Sequence, residues 1–178
     1  MILSQLQLQD LVSQNVVVNP RRQVAVELVS IGLHLDSQFL IYDEHPPEAF
    51  TPPLSLRTKT VSYGPGETHI LPPMGKVLGC SEERVAMPLN VMAFIQTKGS
   101  LARGFLMVHM CDGQVDPGYC GKVTFEIVNH SDFYYKLAPG MPIAQMFFME
   151  LSSPVPTGYC GRYQESGTAT AMRSPKAG

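Results

Sequence analysis

Short apolar runs, each soon interrupted by glycine or proline, restrict this chain to a fold of many strands and tight turns. Fifteen glycines and fifteen prolines are spread along most of its 178 residues. Glycine opens left-handed turn conformations, and proline ends helices and strand ladders. Between them lie strand-length runs: Val16-Val17-Val18, Val24 to Leu28, Leu33-His34-Leu35, His69-Ile70-Leu71, Lys76 to Cys80 and Val91 to Ile95. Further strands are expected at Phe105 to Met110, Lys122 to Asn129, Tyr134 to Leu137 and Ile143 to Leu151, with Pro139-Gly140 as a tight turn. So many short, evenly punctuated strands predict a mainly antiparallel β fold, a barrel or jelly roll.

One segment departs from this pattern. Ser4 and Gln7 have capping-box spacing, Leu3 and Leu8 are placed to staple it, and Leu8, Leu11 and Val12 form one stripe. A short helix from Gln5 to Ser13 is predicted. The proline-rich stretch from Asp43 to Pro53 reads as a surface loop. After Pro156 the chain becomes rich in Gly, Ser, Thr and Ala. Residues 1–178 therefore read as one domain, with 157–178 a flap that is disordered or orders over a ligand.

Charge narrows the functions. Charged residues make up 16% and the net charge is only -2, so no general attraction to nucleic acid or to an anionic membrane is expected. Phosphate binding, if present, must be local. No apolar run reaches the roughly 18 residues that cross a bilayer, and Met1-Ile2-Leu3-Ser4-Gln5 lacks a secretory n-region, so a cytoplasmic protein is expected. Cys80, Cys111, Cys120 and Cys160 form neither a CxxC pair nor a His-x-Glu motif. They read as buried or semi-buried free thiols, without a zinc site or disulfide framework.

The chemistry concentrates in the middle of the chain. Lys98-Gly99-Ser100-Leu101-Ala102-Arg103 is a glycine-marked turn with hydroxyl and basic groups, directly after a strand. Exposed backbone N–H groups in such a turn can meet an anion. Asp116-Pro117-Gly118 makes a second turn, and then comes Glu126 within Val-Thr-Phe-Glu-Ile-Val-Asn. A carboxylate among apolar strand residues is expensive unless it faces a polar cavity or a partner. Alternation puts Val123, Phe125 and Ile127 on one face and Glu126 on the other. Together the motifs read as a nucleotide site.

These residues resemble the dCTP deaminase branch of the trimeric dUTPase superfamily, almost from end to end. Lys98 to Arg103 stands for the family's Arg-Ser-Ser-Leu-Ala-Arg, and Val115-Asp116-Pro117-Gly118-Tyr119-Cys120-Gly121 for Ile-Asp-Pro-Gly-aromatic-x-Gly. The likeness continues through Tyr63-Gly64-Pro65-Gly66-Glu67, Phe125 to Asn129, Pro139 to Phe148, and a tail with Tyr159 and Gly161-Arg162-Tyr163-Gln164. The resemblance implies a distorted jelly-roll β-barrel of the dUTPase-like type that assembles as a homotrimer, with sites lined by adjacent subunits. It implies hydrolytic, zinc-independent deamination of dCTP to dUTP and ammonia, with magnesium held by the triphosphate and no direct protein ligand to a metal.

Residue by residue, the resemblance makes Glu126 the general base and acid and puts Arg103 beside it and the attacking water. Lys98, Ser100 and the backbone of Gly99, Leu101 and Ala102 would meet phosphates. Asp116 would bond the deoxyribose 3'-hydroxyl, Tyr119 would shape the sugar pocket, and the backbone of Thr124 and Phe125 would read the base edge. Tyr159 and Arg162 match phosphate-contacting positions, assisted by Gln164. Burial would raise the pKa of Glu126, and Arg103 would draw it back down.

Several positions depart from the family's pattern. Gly99 replaces a serine whose hydroxyl helps hold the water, a loss worth on the order of 10²-fold in rate. Gly32 stands for an Asp and His34 for an Arg in a Val-Asp-Leu-Arg-Leu strand, and Ser166 for a frequent Gln. His34 is expected to be packed rather than catalytic. Three functions stay open on this reading: the deaminase; a dUTP pyrophosphatase, alone or bifunctional; and a nucleotide-binding protein with lost or altered turnover.

Overall fold

A computed structural model describes residues 1–43 and 56–173. Residues 44–53 of the expected proline-rich loop lie outside the described residues. In chain order the elements are α1 (Gln5–Ser13), β1 (Val17–Val18), β2 (Ala25–Val26), β3 (Ile31–His34), β4 (Gln38–Tyr42), β5 (Thr58–Ser62), β6 (His69–Leu71), β7 (Lys76–Ala86), β8 (Val91–Thr97), α2 (Gly99–Ala102), β9 (Leu106–Met107), β10 (Gln114–Val115), β11 (Cys120–Asn129), β12 (Tyr135–Leu137) and β13 (Pro142–Glu150).

The predicted helix forms over its expected span. The Ser4 N–H donates to Gln7 Oε1 at 3.0 Å, which satisfies one of the first-turn amides that no helix can pair internally. Leu8 and Leu11 bury its inner stripe.

The strands are antiparallel throughout the described pairs. One sheet runs β5-β4-β7-β11-β9 with β1 on β7, a second β10-β8-β13-β3-β2, and β12 pairs β6. Among the described residues the sheets do not close. A bridge between Leu35 and Ser81 links the two large ones, giving an open, distorted jelly roll. One core is drawn from both: Phe39, Val77, Phe125 and Ile127 of the first pack in the same cluster as Ile31, Leu33, Ile95, Ile143 and Phe148 of the second. Phe125 and Ile127 are wholly buried, each stabilising the fold by about 1.5–3 kcal/mol. That burial fixes which face of β11 looks inward and turns Thr124 and Glu126 the other way.

Strand periodicity fails in β7. Between Lys122 and Thr124 of β11 the register slips from Arg84 to Cys80, and the bulged residues Ser81, Glu82 and Glu83 are all buried. Buried carboxylates demand partners, and they have them. Arg21 Nη1 lies 2.9 Å from Asp36 and 3.1 Å from Glu82, Arg22 Nε 2.9 Å from Glu82, and His34 Nδ1 2.8 Å from Glu83. Lys122 pairs with Asp36. Burial pushes the Asp36 carboxyl up, but the Lys122 and Ser37 hydrogen bonds and the Lys122 and Arg21 charges outweigh it and hold it below the usual range. His34 is thus packed, as expected, and serves a buried acid.

At its other end β11 finishes on a polar staple. The wholly buried Asn129 donates through Nδ2 to the carbonyls of Leu71 (3.3 Å), Pro72 (2.9 Å) and Phe133 (2.7 Å). Its Oδ1 accepts from Ser131 N at 2.9 Å and Oγ at 2.6 Å. One side chain therefore joins two loops.

Three strands, β4, β5 and β10, go beyond the expected set. Conversely, the strand expected over Phe105 to Met110 shrinks to Leu106–Met107, because Phe105 at φ 64° and Cys111 at φ 69° bend the backbone on either side. Cys80 is buried and Cys120 half-buried, but Cys111 and Cys160 are exposed, correcting the expectation of burial for those two. Among the described residues no helix is long and apolar enough to cross a membrane.

Candidate active site

The outward face of β11 floors a cavity of about 340 Å³. Val123, Thr124 and Glu126 come from the strand, Asp112, Gln114, Val115 and Asp116 from the segment before it, and Tyr119 from the Asp-Pro-Gly turn. Tyr42 of β4 and the tail residues Tyr159, Tyr163, Thr170 and Met172 complete much of the rest. Among the described residues the lining has three carboxylates and no Lys, Arg or His. Such a pocket suits an uncharged, hydrogen-bonding ring and sugar better than a phosphate.

Glu126 is half-buried here, and its Oε2 accepts the Met110 N–H at 3.1 Å. Burial pushes its carboxyl above the ordinary range; the Met110 hydrogen bond opposes this and the Asp112 charge adds to it. The expected burial effect is present. The counter-pull expected from Arg103 is not among the influences on Glu126 within the chain.

Asp116 Oδ1 accepts from Gln114 Nε2 at 2.5 Å. The Tyr119 hydroxyl donates to the Lys122 carbonyl at 2.5 Å, and its ring meets Tyr159 edge-on with centroids 5.8 Å apart. Desolvation pushes the Tyr119 hydroxyl up to about 12, so it stays a neutral wall of the pocket. Phe125 points its side chain into the core, leaving only its backbone for a ligand.

The described part of the tail docks on an edge that β11 leaves open. Strand β9 pairs with β11 only at Val128 and Asn129. Farther back, Ser166 bridges Gly121, the Lys122 N–H donates to the Ser166 carbonyl at 2.7 Å and the Glu165 N–H to Cys120 O at 2.8 Å. The Thr170 N–H reaches Thr124 Oγ1 at 3.0 Å and the Met172 N–H the Tyr42 hydroxyl at 2.9 Å. Gln164 is the clamp: Oε1 accepts from Cys120 N at 2.9 Å and Nε2 donates to Gly118 O at 2.9 Å. Gly118, at φ +81°, packs backbone to backbone on Gly158; a Cβ there would sit 2.5 Å from the Gly158 Cα. Arg162 is held by the Arg173 carbonyl.

The Lys98 to Arg103 motif lies elsewhere. It forms the single turn α2 after β8. Lys98 pairs with Glu27 at 3.5 Å, Ser100 and Arg103 are exposed, and Arg103 Nη1 folds back on the Gly99 carbonyl at 3.2 Å. None of these residues lines the Glu126 cavity. A Cβ at Gly99 would meet only that Arg103 nitrogen, at 3.2 Å, so the glycine answers to no steric demand from the rest of the chain. A single chain thus brings Asp116, Tyr119, Thr124, Glu126 and Tyr159 together but keeps Lys98, Gly99, Ser100, Leu101, Ala102 and Arg103 apart from them.

Sequence reasoning missed Tyr42, Asp112, Gln114, Tyr163, Thr170 and Met172 as lining residues. Asp112 and Gln114 stand within four residues of Asp116, a signal that was available. Tyr42 and Thr170 reach the site only through sheet pairing and tail docking, which no local pattern reveals.

The chain matches the family described as dCTP deaminase-like over residues 2–151. It is 36% identical over 172 residues to "dCTP deaminase, dUMP-forming" of Kocuria rhizophila, covering 91% of this chain and 88% of that one. It is 37% identical over 169 residues to the protein of the same description from Clavibacter michiganensis, with 89% and 83% covered. Among solved structures, 2'-deoxycytidine 5'-triphosphate deaminase from Agrobacterium tumefaciens shares the fold at TM-score 0.66 and 18% identity. That match covers 83% of this chain and 47% of the other, so this chain spans about half the length of that protein.

Proposed function

Because this chain belongs to the dCTP deaminase-like family, we propose that it hydrolyses the 4-amino group of dCTP, with Glu126 carrying the protons. The observation that bears this reading is the half-buried Glu126, held by Met110 N–H in a cavity with Asp116 and Tyr119. Water attacks C4 as the Glu126 carboxylate takes one of its protons. The C4–N3 π electrons move to N3, which receives that proton from Glu126. Glu126 then takes the remaining hydroxyl proton and hands it to the amino group. Ammonia leaves as the C4 carbonyl forms, and Glu126 ends as the carboxylate it began as.

The Lys98 to Arg103 turn and the Glu126 pocket do not meet in one chain, which supports a homotrimer in which the turn of one subunit completes the pocket of the next. Lys98, Ser100 and the α2 backbone would then take the phosphates, and Arg103 would leave Gly99 to reach the water. No group of three or more His, Cys, Asp or Glu able to hold a metal occurs among the described residues. Magnesium would be carried by the triphosphate, where it would screen phosphate charge. A deoxynucleoside triphosphate substrate supports a cytoplasmic location.

Mixing tests the shared site. Glu126→Gln and Arg103→Ala chains, each inactive alone, are expected on co-assembly to regain roughly one working site in four, as random cyclic assembly gives. No regain in mixed trimers would confine the site to one chain. The relatives' description as dUMP-forming favours a second step, hydrolysis between the α and β phosphates. Ammonia and pyrophosphate released from dCTP are expected in equal amounts; ammonia with accumulating dUTP would limit the activity to deamination, and neither product would remove the proposal.

A further inference from the structure

The Glu126 cavity holds a second carboxylate that the reaction above does not use. Asp112 lines the same cavity from the segment between β9 and β10, yet it is exposed and makes no hydrogen bond or ion pair among the described residues. Its backbone is tied to the site. Two residues earlier the Met110 N–H donates to Glu126 Oε2 at 3.1 Å, and between them Cys111 adopts φ 69°, a conformation unfavourable for a side chain of its kind. The same segment therefore both grips Glu126 and presents an unpaired acid beside it.

We propose that Asp112 is a positioning residue for deamination, a rim carboxylate that acts through Glu126 by making it a stronger base toward water. This role rests on the deaminase reading. The groups facing Glu126 across the cavity are Asp112 and Asp116 from the preceding segment, Tyr42 from β4, Tyr119 from the turn, and Tyr159 and Tyr163 from the tail. None is cationic. Asp116 keeps its charge while accepting from Gln114, but Asp112 is the acid whose own segment grips Glu126 and whose charge acts on it. A like charge favours the protonated form of its neighbour, and a base whose pKa lies nearer the working pH removes a proton from water more effectively.

The test is a titration of the Glu126 carboxyl carbon in the substrate-free full chain by ¹³C NMR, with Glu126→Gln identifying its resonance. In Asp112→Asn the midpoint is expected to fall by about half a pH unit, the effect of one charge across a solvent-filled gap. The acid limb of kcat/KM for dCTP is expected to move down with it, and Asp112→Glu to restore both. An unmoved midpoint overturns the proposal, as does a moved midpoint with an unmoved acid limb. If Asp112→Asn fails to fold, Asp112→Ser is measured in its place. A shifted midpoint in a chain that releases no ammonia from dCTP overturns the deaminase reading instead, while the charge coupling stands.

Discussion

Glu126→Gln is expected to slow ammonia release from dCTP by about a thousandfold, near the middle of what general acid and base catalysis contributes. The amide keeps the size of the side chain and can still face the Met110 N–H, so nucleotide affinity is expected to change little. Steady-state rates and equilibrium binding, measured on the same protein, separate the two. Activity within about tenfold of the natural chain would mean that another group moves the protons. The same residue sets the pH dependence. Glu126 works first as a base, so it must begin deprotonated, and burial has raised its pKa above the ordinary carboxylate value. Activity is expected to be lost as pH falls through that raised value, at a higher pH than an exposed glutamate would give.

Asn129→Ala is expected to destabilise the fold by about 3 kcal/mol without touching the site chemistry. The truncation removes the amide donor from the Pro72 carbonyl, which keeps the Gly75 N–H, and from the Phe133 carbonyl, which keeps Ser131 Oγ, and it leaves the Ser131 N–H without its acceptor, around a side chain that is wholly buried. For a chain of this length the melting temperature is expected to fall by roughly 6 to 12 °C. Calorimetry measures it directly. A loss below about 1 kcal/mol would show that water or a neighbouring group replaces the amide.

What could be read in advance follows the range over which each signal acts. Helix α1 was legible because capping and stripe are local, and its bounds came out as expected. Strand β11 was legible because Val123, Phe125 and Ile127 alternate cleanly, which also sent Glu126 outward. Strand β7 was cut short at Cys80, since Ser81, Glu82 and Glu83 break alternation; the burial of Glu82 and Glu83 is offset by Arg21, Arg22, His34 and Asn19, distant in sequence. The polar β5, Thr58-Lys59-Thr60-Val61-Ser62, is an edge strand that pairs only with β4 among the described residues, and edges carry little apolar pattern. The Asp116, Tyr119, Thr124, Glu126 and Tyr159 set was legible through motif order. Its separation from Arg103 within the chain was not, because motif order does not say which motifs the fold brings into contact. Gln164, expected to assist at phosphates, holds the tail to the Asp-Pro-Gly turn and Cys120 within the chain.

The backbone contact between Gly118 and Gly158 bears on how such a chain can change over generations. Neither position can accept even a methyl group while the other backbone stays where it is, so drift at one is vetoed by the other. Substitutions that alter what the tail lays over the pocket must therefore accumulate beyond this hinge of two hydrogens, from Tyr159 onward. Descendants are free to vary the cover but not its point of attachment.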